Sequence, residues 1–116
     1  ARAINDLGER ARAKKLTPQQ VQRGTFTITN PGGFGSFAGT PIINQPQVAI
    51  LGIGSIEKRP HVVTLPDGTD TLAIRTKGMF TMAYDHRIVD GADAARFLVT
   101  MKDRLEEGAF EADLGL

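Results

Sequence analysis

The sequence contains no cysteine, which excludes disulfides, thiolate nucleophiles and cysteine-based zinc sites. It also lacks an excess of either charge. Lys plus Arg number 14 against 13 Asp plus Glu, so nothing in the balance points to nucleic acid or an anionic membrane as a partner. No apolar run approaches the ~20 residues of a membrane-spanning helix. Serine is scarce, and neither Ser36 nor Ser55 sits in a Gly-x-Ser-x-Gly elbow, which argues against a serine hydrolase. Histidine is equally scarce. His61 and His86 lack the spacing of a helical metal pair, and nothing beyond proximity supports a metal held by His86, Asp85 and Asp90. At 116 residues the chain bounds at most one small domain with a modest core. It opens on Ala1 with a helical pattern already in phase, so it is expected to be a piece of something larger, with any targeting segment upstream.

What is present reads in order as helix, strand, long loop, several strands, helix. Residues 2–14 form a basic amphipathic helix, with Ile4, Leu7 and Ala11 as a narrow stripe among Arg2, Arg10, Arg12, Lys14 and Lys15. The basic face reads as solvated, with an anion or coenzyme contact as the sharper alternative. Thr17-Pro18 reads as an N-cap and first helical residue of a short turn reaching about Gln22. Thr25 to Thr29 alternates β-branched and aromatic residues and predicts a strand, ended by the turn residues Asn30-Pro31-Gly32-Gly33. The Gly- and Phe-rich stretch to Gly39 predicts a loop with exposed aromatics, of the kind found at subunit contacts or channel walls. Val48 to Ile56 is a near-continuous apolar run, hence a strand buried on both faces, with glycines marking close backbone approach.

His61–Leu65 and Thr71–Arg75 are expected to pair as a hairpin around Pro66-Asp67-Gly68-Thr69, with His61 exposed on the polar phase. A last strand covers Lys77 to Asp85. Asp90 then opens a helix whose stripe is Ala94, Phe97, Leu98, Met101 and Leu105, stopped by Gly108. The acidic, apolar tail from Ala109 docks on a neighbouring chain or frays. Strands that run together instead of alternating with helices argue for an α+β fold with a mixed or largely antiparallel sheet.

The chemistry concentrates in Tyr84-Asp85-His86-Arg87-Ile88-Val89-Asp90-Gly91. A histidine at a strand-to-helix junction is held by the strand and left reachable by the turn. Asp90, four residues on, can accept the free first-turn amides of the helix. His86 is therefore the candidate general base and Asp90 its structural companion.

The run Asp-His-Arg-x-x-Asp-Gly resembles the active-site signature of the dihydrolipoyl acyltransferases, the E2 cores of the 2-oxo acid dehydrogenase complexes. Two further stretches carry the same resemblance in order and spacing. They are Gly24-Thr25-Phe26-Thr27-Ile28-Thr29-Asn30-Pro31-Gly32 and Thr40-Pro41-Ile42-Ile43-Asn44-Gln45-Pro46-Gln47-Val48-Ala49-Ile50-Leu51-Gly52. The ending Leu105-Glu106-Glu107-Gly108-Ala109-Phe110-Glu111-Ala112-Asp113-Leu114 is similar to actinobacterial members.

The resemblance implies a chloramphenicol-acetyltransferase-like two-layer sandwich of mixed sheet with helices on one face. Residues 1–116 would be the C-terminal part of that catalytic domain, with its N-terminal half and the lipoyl and subunit-binding domains absent. It further implies acyl transfer between dihydrolipoamide and coenzyme A, acetyl or succinyl. His86 would be the base, Thr29 the oxyanion donor, and Asp90 would tie the turn down by pairing with a basic residue from elsewhere. Coenzyme A is then a substrate, the lipoyl group rides on another domain, and no metal is called for. The implied partners are copies of the chain in a homotrimer or larger core and the E1 and E3 components, with no nucleic acid and no membrane, in a bacterial cytoplasm. In the family the site lies between subunits. The competing readings are a non-catalytic E2-like scaffold and a chloramphenicol-type acetyltransferase acting on an alcohol.

Overall fold

The computed structural model describes residues 2–115. Its centre is a three-stranded sheet in the order β1 (Thr27–Thr29), β2 (Ala49–Thr64), β3 (Asp70–Tyr84). β1 runs parallel to β2, and β3 runs antiparallel to it. With helix α3 (Gly91–Glu107) against β3, this is the expected α+β arrangement with a mixed sheet. The buried apolar side chains are Ala49, Ile50, Leu51 and Ala94, so the apolar run at the start of β2 is the core.

Strand continuity differs from the sequence reading. The separate strands expected at 48–56 and 61–65 are one 16-residue strand, and those at 71–75 and 77–85 are one 15-residue strand. Pro60 is tolerated inside β2 because β1 ends opposite Gly52, leaving the outer edge of β2 unpaired farther along. The strand expected from Thr25 is shorter, Thr27–Thr29.

A bulge between Ile53 and Ile56 interrupts the β2–β3 register. There Ser55 donates its backbone N–H to the Ser36 carbonyl, at 2.8 Å, docking the glycine-rich loop on the sheet. The loop opens with a 3-10 turn, Pro31–Phe34, capped by Asn30, whose Oδ1 accepts from Gly33 N at 3.1 Å. A Cβ on Gly54 would run into the Phe37 carbonyl oxygen, the close approach expected of the glycines in that run, and one on the turn residue Gly32 would run into the Gly54 backbone. Phe34 projects 95% exposed, and Phe37 lies under the Arg59 guanidinium, 4.1 Å from the ring centroid.

Beyond the bulge β2 and β3 form an arm closed by residues 65–69. Leu65 N donates to Thr69 O at 2.8 Å, Gly68 takes φ +82°, and Asp67 Oδ1 accepts from Thr69 N at 2.9 Å. The arm helps stretch the molecule to 59 × 36 × 32 Å. His61 is exposed on it, as expected, with Nδ1 2.7 Å from Lys77 Nζ.

Helix α1 (Arg2–Arg12) buries no residue and is tied to α2 (Pro18–Gln22) by Arg10 Nη2 donating to Gln20 Oε1 at 3.0 Å. Gln20 Oε1 also accepts from Thr17 N at 2.9 Å, holding the start of α2. Helix α3 ends at Gly108 in the left-handed region (φ +67°), where the Gly108 N–H caps the Arg104 carbonyl. The tail forms α4 (Glu111–Leu114), held by Arg104 Nη2 on Asp113 Oδ2 at 2.6 Å. No helix among the described residues is long and apolar enough to cross a membrane.

Candidate active site

β3 ends at Tyr84, opposite Ala49 in the core of β2. Asp85 N continues the pairing for one more bond, donating to Val48 O at 2.8 Å. The chain then turns: Ile88 N and Val89 N both donate to Asp85 O at 3.0 Å. His86 stands on the outside of this turn, exposed, with its ring 5.2 Å from the Tyr84 ring at a 44° tilt. It is therefore not sealed within hydrocarbon but held at the rim of the sheet by the most buried strand pairing in the molecule.

Asp90 closes the turn as the N-cap of α3, its Oδ1 accepting from Asp93 N at 2.8 Å. His86 and Asp90 thus share one turn, as their spacing predicts. A basic partner supplied to Asp90 from elsewhere in the molecule has no counterpart among the described residues.

Asp85 and Arg87 flank His86 and face each other. The Asp85 carboxylate accepts from Arg87 N (3.0 Å), Nε (2.9 Å) and Nη2 (2.7 Å). These bonds, the side-chain ones first, hold the Asp85 carboxyl down at about 2 from its usual 3.8, and the same pairing raises the Arg87 guanidinium. Sequence reading singles out His86 and Asp90 in this run but misses Asp85 as the partner of Arg87 and Tyr84 as the neighbour of the imidazole. The Asp-x-Arg spacing across a turn was the available signal.

Thr29 is half-buried at the end of β1, opposite Gly52. The structure does not bring it to His86. β1 and β3 are on opposite sides of β2, and Thr29 lies three residues farther along β2 than the position paired with Tyr84. Two strand spacings and three residue rises put Thr29 and Tyr84 on the order of 14 Å apart. The His86 turn and the end of β1 thus lie on opposite edges of the sheet.

Elsewhere, a groove of about 560 Å3 runs between β3 and α3, lined by Met79, Phe80, Leu98, Met101, Lys77 and Lys102 among others; it includes none of His86, Asp90 or Thr29. No group of three or more His, Asp or Glu placed to hold a metal occurs among the described residues.

Residues 1–111 match the family of 2-oxoacid dehydrogenases acyltransferase (catalytic domain). Over its whole length the chain is 54% identical to the dihydrolipoyllysine-residue acetyltransferase component of the pyruvate dehydrogenase complex of Mycobacterium tuberculosis, of which it covers 21%. It is 47% identical over 106 residues to the dihydrolipoyllysine-residue succinyltransferase component of the 2-oxoglutarate dehydrogenase complex of Azotobacter vinelandii, covering 91% of this chain and 25% of that protein. Among solved structures, the dihydrolipoamide acetyltransferase of Azotobacter vinelandii superposes with a TM-score of 0.82 at 38% identity, over 98% of this chain and 44% of that one. That structure addresses the role of a serine, a histidine and an asparagine in the catalytic mechanism, the last two four positions apart. The chain spans about a fifth of the length of the first curated relative and under half of the solved catalytic core. A turn that exposes one histidine beside a helix-capping aspartate, in a chain matched almost end to end, makes this sequence a member of the 2-oxoacid dehydrogenase acyltransferase family.

Proposed function

We propose that this chain is the C-terminal part of a catalytic domain that passes an acyl group between the thiols of dihydrolipoamide and coenzyme A. The observation that carries this is the exposed His86 on a turn fixed by the buried strands on one side and the Asp90 cap on the other. A thiol with pKa about 8.5 is only a few per cent thiolate near neutrality, so a positioned neutral imidazole raises the supply of nucleophile. His86 takes the proton from the attacking sulfur. The new C–S bond forms as the carbonyl electrons move onto oxygen. Collapse of that oxyanion breaks the old C–S bond, and the imidazolium returns the proton to the departing sulfur.

The oxyanion needs a donor, and Thr29 is the hydroxyl assigned to it; one such donor is worth about 3 kcal/mol of barrier. Within one chain the end of β1, which carries Thr29, and the end of β3, which leads to His86, lie on opposite edges of the sheet with backbones on the order of 14 Å apart. The site is therefore completed between copies, His86 from one and Thr29 from the next, in a homotrimer or larger core. The four-residue interval from His86 to Asp90 equals that of the histidine and asparagine studied in the Azotobacter vinelandii acetyltransferase, which supports the pairing of roles. Higher identity to the acetyltransferase than to the succinyltransferase favours acetyl as the group carried. Coenzyme A is a substrate and the lipoyl group arrives on another domain. The E1 and E3 components of a bacterial, cytoplasmic complex complete the set of partners.

Replacing His86 by Ala in the assembled full chain is expected to lower acyl transfer by about 100-fold or more, with assembly unchanged. Acetyl- and succinyl-coenzyme A offered with dihydrolipoamide identify the acyl group. Undiminished turnover in His86→Ala would leave only the scaffold reading.

A further inference from the structure

The Asp85–Arg87 pair serves no purpose in the chemistry above, yet it brackets the one residue that does. We propose that Asp85 and Arg87 form a positioning clamp that fixes the backbone of His86 and so aims its imidazole. The inference rests on His86 being the base. Neither clamp residue touches substrate; both act through the histidine between them.

The geometry is that of a closed ring. Asp85 Oδ1 accepts from Arg87 N at 3.0 Å, an Asx turn whose atoms include the whole backbone of His86. An Asx turn by itself leaves the carboxylate free to rotate away. Here the Arg87 guanidinium stops that rotation with paired bonds, Nε to Oδ1 at 2.9 Å and Nη2 to Oδ2 at 2.7 Å. The main chain of Asp85 is anchored independently, through N to the carbonyl of Val48, the residue just before β2, and through O to Ile88 and Val89. Position is thus transmitted from the segment leading into β2 to Asp85, through its carboxylate to Arg87, and around His86. The Tyr84 ring lies 5.2 Å from the imidazole at a 44° tilt, a further contact on the same side chain.

Exposure separates this role from a stabilising one. The Asp85 side chain is 19% exposed and that of Arg87 is 85% exposed. An ion pair whose arginine is this open to water contributes modestly to global stability and costs side-chain freedom to hold. Displacing a reacting group by about 1 Å, in contrast, can cost on the order of 100-fold in rate. The clamp therefore matters far more to turnover than to folding.

The test uses the full chain in its assembled state, with dihydrolipoamide and acetyl-coenzyme A as substrates and His86→Ala as the reference. Asp85→Ala and Arg87→Ala are expected to lower kcat about 10- to 100-fold, with KM for both substrates within about twofold and thermal unfolding close to the parent. Arg87→Lys is expected to remain as impaired as Arg87→Ala, because an ammonium cannot reproduce the paired fork. If Asp85→Ala fails to assemble, Asp85→Asn decides. It keeps the Asx-turn oxygen but loses the ionised partner, and should fall between Asp85→Ala and the parent. Parental kcat in Arg87→Ala and Asp85→Asn, with His86→Ala inactive, would overturn the clamp and leave the base assignment standing. Full rescue by Arg87→Lys would also overturn it, by showing that charge alone suffices. An active His86→Ala would remove the reading on which the clamp rests.

Discussion

His86 and Asp85 are adjacent and differ in role. In the proposed reading the imidazole is the group that exchanges a proton, and the carboxylate beside it is the partner of Arg87. Hydrogen bonds from Arg87 hold the Asp85 carboxyl at about 2, below its usual 3.8. The folded state then binds this proton more weakly than the unfolded chain. Its contribution to stability is complete above the ordinary carboxylate range and disappears as pH falls from about 4 to about 2. A carbon-NMR titration of the Asp85 carboxyl should give a midpoint near 2, and Arg87→Ala should return it toward the usual range. A midpoint that stays low in that variant would show that the arginine is not its cause. Asp90 was legible at this scale because capping depends on residues three or four apart. The Asp85–Arg87 bonds were not, because each of those residues alone also reads as an ordinary solvated charge.

Among the elements, the β2–β3 arm has the clearest unmet requirement. Past the bulge one of its faces carries Ile56, Pro60, Val62, Leu72 and Ile74, with Lys58 and Thr76 among them, while the other carries Glu57, Arg59, His61, Arg75 and Lys77. The apolar face is open: Ile56 is 64%, Val62 54%, and Leu72 and Ile74 each 74% exposed. A two-stranded ribbon is marginal alone in water, so a face of this kind is stable when covered. A neighbouring copy in the proposed core would cover it. Val62→Glu with Ile74→Glu should then weaken association by about 100-fold or more, since an unpaired charge buried at an interface costs several kcal/mol. Thr71→Glu, on the charged face, should not. Parental assembly of the double variant by analytical ultracentrifugation would exclude this face from the interface. The alternation itself was visible in His61–Leu65 and Thr71–Arg75. The continuity of the strands was not, because Pro60 and the strand glycines read as breaks until the missing outer neighbour of β2 is known.

For the molecule as a whole, the distribution of chemistry over the sheet is the governing fact. His86 follows the end of β3 beside the start of β2, and Thr29 ends β1 on the other edge, farther along β2. If the site forms between copies, mixing His86→Ala chains with Thr29→Ala chains before assembly should restore part of the activity that each lacks alone. Some interfaces would then pair an intact histidine with an intact threonine. Mixed cores as inactive as their parents would refute completion across the interface. The small core, limited to the start of β2 and Ala94, fits a chain that spans 44% of the solved catalytic core it resembles.

Sequence by itself determined the local events: the Asp90 cap, the Gly108 stop, the turn at Pro66–Gly68, and a single histidine placed where a strand gives way to a helix. Each depends on a few consecutive residues whose conformational preferences agree. Tertiary structure alone decided the bulge that docks the glycine loop, the long unbroken strands, and the placement of Thr29 and the His86 turn on opposite edges of the sheet. Those follow from which strand lies beside which, and strand order is set by contacts between distant residues that no short stretch encodes.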